Sequence, residues 1–353
     1  MKGAEGAVLE IDLGAIAANW SFLRTLHPSG PIAGVVKADA YGLGATRVAP
    51  ALHEAGCRHF FVAQLSEAVA IRALLPGAML AVLNGLIPGS EADYLARELT
   101  PVLGSLDEIS RWAAAGHGHP AILHVDTGMN RLGLGAADLF EAPARLAGIP
   151  LRYIMTHLVS SELPQDPINA TQHRRFAAAC AVLPPAPRSL ANSSGLFLGP
   201  DFASDLARPG AALYGINPTP LQPNPMRQAV RLRARVLQVR DIPPGDSVGY
   251  NAAWTARRRS RIATVCSGYA DGWQRGHSNR GHALFDGAPV PLVGRVSMDL
   301  TTYDVTDHPT VGPGTWLDLL GPGMTPDMAA EAARTNGYEI LTSFGPRYAR
   351  KYQ

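Results

Sequence analysis

One interior lysine, Lys37, stands out in a chain that otherwise writes its basic positions as arginine. Among 31 Lys plus Arg, lysine occurs only at Lys2, Lys37 and Lys351, and two of these are terminal. Arginine replaces lysine wherever charge or a phosphate contact is enough. It cannot form a Schiff base, because the guanidinium stays protonated and is a poor nucleophile. Lys37 therefore has two readings, a covalent amine or a strand-end lysine that reaches out to solvent. It lies in Ile32-Ala33-Gly34-Val35-Val36-Lys37-Ala38-Asp39-Ala40-Tyr41-Gly42-Leu43-Gly44, an apolar run that delivers a lysine and a tyrosine into a glycine-rich turn. Further on come His124 with Arg131, then Thr156-His157, Ala191-Asn192-Ser193-Ser194 and Arg208-Pro209-Gly210-Ala211. The hydroxyls and glycine-flanked amides of this set suit a phosphate. An amine beside a phosphate cradle suits an aldehyde cofactor that bears a phosphate, which is pyridoxal 5'-phosphate.

Each of these groups lies in or at the end of a strand-like run. Such runs fall at Ile32–Val36, His59–Ala63, Met79–Leu83, Thr100–Leu103, Ala121–Val125, Leu151–Thr156, Arg188–Ala191 and around Ala211–Tyr214. Between most of them lie Ala/Leu-rich segments of helical length, such as Thr46–Ala55, Leu106–Ala115 and Thr171–Leu183. Strands alternating with helices imply parallel pairing through right-handed crossovers. About eight such units in about 200 residues predict a (β/α)8 TIM-like barrel, with function gathered at the carboxyl ends of its strands. A doubly wound open sheet is the rival, and it lacks a G-x-G-x-x-G turn after its first strand.

The rhythm stops at Asn217–Pro225, where four prolines in eight residues, Pro218 to Pro225, can continue neither a helix nor a central strand. Alternating β-branched runs follow at Val230–Val239, Ser260–Cys266, Ala288–Val293, Asp299–Val305 and Trp316–Leu320, divided by Pro/Gly/Asp turns. The expected organisation is α/β, a PLP-binding barrel over residues 14–222 followed by a mainly-β domain over 223–353. Residues 1–13 would form an N-terminal strand that packs with the β domain.

A net charge of +2 gives no reason to expect nucleic acid or an anionic membrane. The cluster Arg257, Arg258, Arg259 and Arg261 reads as a solvated face or an interface edge. Three cysteines, Cys57, Cys180 and Cys266, make no disulfide framework and fit a reducing, cytoplasmic setting. The sequence displays no signal peptide and no membrane span. His117, His119, His277 and His282 lack Cys or carboxylate partners at ligand spacing, so no metal is expected. Cys266 reads as a small buried hydrophobe, Trp254 and Trp273 as packing or interface aromatics. Asp271 reads as a turn-former, and His157 alone would pass for a satisfied barrel histidine.

The chain resembles the alanine racemase family of barrel-type PLP enzymes. Val36 to Gly44 resembles the family's cofactor-lysine signature, and Asp126-Thr127-Gly128-Met129-Asn130-Arg131-Leu132-Gly133 resembles its second block. Thr156-His157, Ala191-Asn192-Ser193, Arg208 to Gly215, Val248-Gly249-Tyr250, Gly268 to Gly272, Gly294 to Asp299 and Tyr338-Glu339 match further blocks in order across essentially the whole chain. The resemblance implies that Lys37 carries PLP and serves as base on one face of the substrate α-carbon. Tyr250, from the partner subunit of a homodimer with shared sites, would be the base on the other face. Tyr41, Ser193, Tyr338 and the backbone of Gly210 and Ala211 would hold the phosphate. Arg208 would donate to the pyridine nitrogen with His157 behind it. Arg131 and Met298 would meet the substrate carboxylate and the cofactor oxygen, and Tyr269 would line the mouth of the site.

Two opposed bases are what racemisation needs, since one fixed base cannot serve both faces of a carbon. The chain departs from the family at His124, where a lysine that becomes carbamylated is common. Three arrangements could replace it: a neutral imidazole accepting a hydrogen bond from Arg131, a bound anion such as chloride, or a re-routed contact. The implied function is interconversion of L- and D-alanine, for peptidoglycan or for D-alanine breakdown. Its rivals are a broader racemase acting on serine and a non-catalytic PLP-binding protein.

Overall fold

Short runs of β-branched and aromatic residues set the first half of the chain into a ring of parallel strands. The computed structural model describes residues 5–353; Met1 to Ala4, with Lys2 and the start of the expected N-terminal strand, lie outside the described residues. The first strand, β1 (Ala7–Ile11), precedes the helix Leu13–Thr25, whose cap Asp12 accepts from the Ala15 N–H at 2.7 Å. Next come β2 (Gly34–Val35), β3 (His59–Val62), β4 (Met79–Val82), β5 (Thr100–Leu103), β6 (Ala121–His124), β7 (Leu151–Met155) and β8 (Arg188–Ser189), a parallel sheet in sequence order. Parallel bridges from Leu206 to Ser189 and from Ala207 to Ile32 close it into a barrel.

The closing strand corrects the expectation that the last barrel strand lies at Ala211–Tyr214. That stretch is a 3-10 turn. The ladder runs through Leu206, Ala207 and Arg208, whose N–H groups donate to Arg188, Pro31 and Ala191 carbonyls. Pro209 has no N–H to continue it.

Alternate strand residues face opposite ways, as a pleated strand requires. Val35, Phe61, Met79, Ala81, Val102, Ile122 and Met155 fill the barrel interior, while Phe60, Val62, Leu80, Val82, Leu103, Leu123 and Ile154 pack against the helices. The interior is a packed core, so only the rim is free for chemistry.

The second half is mainly β. The long strand β9 (Val230–Ile242) is its spine. The others are β10 (Ser247–Val248), β11 (Trp254–Thr255), β12 (Ser260–Val265), β13 (His282–Phe285), β14 (Ala288–Pro291), β15 (Thr301–Asp304), β16 (Trp316–Leu320) and β17 (Ala349–Tyr352). In the main sheet β14-β13-β16-β9-β1-β17, β1 pairs antiparallel with β9 and parallel with β17. Helices Pro326–Ala333 and Gly337–Thr342 interrupt the strands near the end and bring the β domain back to the barrel rim. There the Asn217 N–H donates to Asp327 at 3.0 Å. No described helix is long and apolar enough to cross a membrane.

Candidate active site

The carboxyl ends of the barrel strands surround a cavity of about 560 Å³, lined by Lys37, Tyr41, His124, Arg131, His157, Ser193, Arg208, Gly210, Ala211 and Tyr338, among others. Nine of the ten come from the barrel, and Tyr338 comes from the helix Gly337–Thr342 of the β domain.

Lys37 follows β2 by two residues. After it the backbone turns left-handed for four consecutive non-glycine residues, Ala38 to Tyr41, at φ 52–56°. Such a run costs about 1–2 kcal/mol per residue, so surrounding bonds must hold it. Ala40 N donates to Val36 O at 2.9 Å, Gly42 N to Ala38 O at 2.7 Å, and Ala45 N to the Asp39 carboxylate at 2.7 Å. Strain of this kind belongs to sites where geometry matters more than local comfort. Burial lowers the pKa of the Lys37 amine, and the Arg131 charge lowers it further, against an opposing pull from Glu67.

The turn aims Tyr41 across the cavity at Gly210. The Tyr41 ring packs on Tyr214 with centroids 4.7 Å apart, and burial pushes its hydroxyl up to about 12, so it stays a donor. Ser193 Oγ accepts the N–H groups of Gly210 at 3.0 Å and Ala212 at 3.2 Å. Tyr338 donates its hydroxyl to the Glu162 carboxylate; burial and that carboxylate raise the phenol's pKa.

Arg208 is buried, donating to Ser189 Oγ and, at 2.5 Å, to the Thr156 carbonyl. Burial pushes it down to about 10, still charged at neutral pH. His157 is pushed down to about 3 and His124 to about 4, first by burial and then by the Arg208 guanidinium, so both imidazoles are neutral. Gln172 ties the end of β7 to its neighbour by donating to the His157 carbonyl and to Thr127 Oγ1, both at 3.0 Å.

No hydrogen bond or ion pair forms at the Arg131 side chain among the described residues, and His124 makes none to it. The loop that carries Arg131 is instead held through its backbone. The Asp126 carboxylate accepts from Gly128, Met129 and Asn130 N–H at 2.8, 2.9 and 2.8 Å.

Tyr250, Tyr269 and Met298 do not reach this cavity within one chain. They lie on the β domain, 64, 43 and 54 % exposed. Asp271 is the turn-former its neighbours suggest, accepting from Gly268 N at 2.8 Å and pairing with Arg347 at 2.9 Å. Sequence reasoning missed Asn84 and Glu162, which line the cavity. It also missed Glu67, whose signal was its place in the first turn of the helix Leu65–Ile71, three residues after Gln64.

Comparison with known proteins places this geometry in a family. The family model "Alanine racemase, N-terminal domain" matches residues 11–218, and "Alanine racemase, C-terminal domain" matches 229–352. The alanine racemase of Acidiphilium cryptum is 58% identical over 348 residues, 97% of either chain. A crystal structure of alanine racemase from Bartonella henselae with covalently bound pyridoxal phosphate superposes with a TM-score of 0.95 at 41% identity, covering 99% of both chains. The biosynthetic alanine racemase from Pseudomonas aeruginosa superposes with a TM-score of 0.94 at 35% identity, again over 99% of both.

Proposed function

The chain belongs to the alanine racemase family, and from that premise we propose that it interconverts L- and D-alanine with pyridoxal 5'-phosphate held at Lys37. The observation that carries the reading is the placing of the one interior lysine in a cavity whose opposite wall suits a phosphate. That wall carries the Tyr41, Tyr338 and Ser193 hydroxyls and the backbone of Gly210 and Ala211; to hold a phosphate, Tyr338 and the Gly210 N–H would turn to it from Glu162 and Ser193 Oγ, which they now bond. Space agrees with chemistry, because a Cβ at residue 210 would lie 2.5 Å from the Tyr41 hydroxyl. Joined through its aldehyde to an amine, the cofactor acidifies the α-hydrogen of an amino acid.

The protein's own groups then decide where the proton goes. Lys37 takes or gives it at Nζ on one face, and its lowered pKa keeps more of the amine unprotonated near neutrality. Tyr250 of the partner subunit takes the other face at its hydroxyl. This role explains why Tyr250, Tyr269 and Met298 stand in solvent on an isolated chain. In an isologous pair each would complete its partner's cavity. Arg208 would donate to the pyridine nitrogen. A guanidinium does not surrender its proton, so Arg208 would hydrogen-bond that nitrogen without protonating it, and the weaker electron withdrawal that the cofactor would then supply favours racemisation over transamination. Arg131 would bind the substrate carboxylate beside the main chain at Met298.

In this reading the barrel, residues 14–222, holds the cofactor, and residues 223–353 supply the second base. Three unpaired cysteines fit the cytoplasm. The reaction runs in both directions, so the same site serves D-alanine supply for peptidoglycan and D-alanine breakdown.

Incubation of the holoenzyme with L-alanine, L-serine and L-lysine separately, with chiral analysis of products, tests the reading. D-alanine is the expected product, and no D-enantiomer from any substrate would refute it. Borohydride reduction and peptide mapping test the cofactor site: the label belongs on the peptide containing Lys37 and nowhere else.

A further inference from the structure

Glu67 joins the lysine-bearing turn to the neighbouring strand. Its Oε1 accepts from the Ala38 N–H at 2.6 Å, and its Oε2 accepts from Ala63 at 2.8 Å and Gln64 at 3.0 Å. Ala63 and Gln64 follow β3, and Ala38 follows Lys37. One carboxylate therefore spans the ends of two adjacent strands. The device recurs further round the barrel. Glu108, in the first turn of the helix after β5, accepts from Leu86 N at 2.9 Å and from Gly104 N at 2.6 Å. Glu108 gives the measure of such a clamp as a structural fastening alone.

The two clamps differ in what they hold. Leu86 lies in a loop with no reactive amine, whereas Ala38 opens the left-handed turn. The Lys37–Ala38 peptide sets the direction in which the Lys37 side chain leaves the backbone. The charged groups acting on the Lys37 amine are Arg131 and Glu67, of opposite sign. His157, which also faces it, is neutral.

We propose that Glu67 is a positioning residue for Lys37: its carboxylate fixes the Lys37–Ala38 peptide and keeps a negative charge, opposite in sign to Arg131, next to the lysine-bearing turn. The inference rests on reading Lys37 as the cofactor lysine, but its test needs no cofactor.

The full-length protein, stripped of cofactor with hydroxylamine, is acetylated with acetic anhydride across a pH series, and the rate at Lys37 is read by peptide mass spectrometry. Lys37 is the one interior lysine, and exposed Lys351 serves as internal reference. Glu67→Gln should lower the labelling midpoint of Lys37 by roughly half a pH unit or more, while Glu108→Gln leaves it in place. An unchanged midpoint in Glu67→Gln, or an equal fall in Glu108→Gln, would overturn the proposal. If Glu67→Gln does not fold, Glu67→Asp carries the test. Its carboxylate is too short to keep Ala38, so the midpoint should fall by less, and no fall overturns the proposal. If the cofactor reading itself is wrong, the borohydride label lies elsewhere whatever the midpoint does.

Discussion

The Tyr41 hydroxyl occupies the space that a side chain at residue 210 would need. A Cβ there would sit 2.5 Å from Tyr41 Oη and 3.4 Å from Val35 Cβ. Gly210, at φ −125° and ψ −81°, is outside the left-handed region that favours glycine, and the demand for glycine here comes from the space that Tyr41 takes. Gly210→Ala should push Tyr41 off the phosphate wall. We expect a stability cost of about 1–3 kcal/mol from overpacking and at least roughly tenfold weaker cofactor binding from one lost donor. Fluorescence titration with pyridoxal phosphate and thermal melts would check both; unchanged affinity would remove Tyr41 from the cradle.

Acid should unfold this protein through its histidines. His124 is buried and pushed down to about 4, below its ordinary value of 6.5. The unfolded chain thus takes up that proton first as pH falls, and stability is complete above pH 6.5 and lost progressively towards pH 4. The full loss for His124 is on the order of 3 kcal/mol, with about 2 of that gone by pH 5. His124→Asn should narrow the gap in Tm between pH 8 and pH 5. An unchanged gap would contradict a neutral, buried His124.

The His277 ring stacks on Trp273 with centroids 4.1 Å apart at 5°, and among the described residues neither ring nitrogen has a partner. Burial pushes it down to about 4. Replacing such a group by an apolar one of similar shape is close to neutral or stabilising. His277→Phe should melt at the same temperature or higher at pH 8, and the advantage should grow as pH falls from 6.5 towards 4. A lower Tm at every pH would mean that the nitrogens bind water.

Arg208 reaches Ser189 and Thr156 together. A lysine ammonium keeps the charge but not the fork. Arg208→Lys should lower racemisation at least roughly tenfold. It should also raise the fraction of turnovers that convert the cofactor to its amine form, read from the absorption spectrum. Racemisation lost without that conversion would argue against the pyridine-nitrogen role.

Legibility in the sequence followed local physics. The first seven barrel strands were readable because apolar runs alternate with helical segments. The eighth was misplaced because its ladder is too short to leave a pattern and ends at Pro209. The strand β17, Ala-Arg-Lys-Tyr, carries two charges in four residues and becomes a strand only by pairing with β1 from the other end of the chain. The rim residues after the strands were visible by type. Glu67 was not, because a glutamate in a first helical turn looks like an ordinary cap until its reach to Ala38 is seen. Tyr338 rested on resemblance alone, although its helix carries a capping signal in Asn336, which accepts from Glu339 N at 3.0 Å.

The central claim is that Lys37 of one chain and Tyr250 of another build one site. Mixing two inactive variants, Lys37→Ala and Tyr250→Phe, after mild dissociation and reassociation tests it. Half of the random pairs are mixed, and each mixed pair keeps one intact site, so activity should return to about a quarter of wild type. Two variants that remain as inactive together as apart would contradict the shared site.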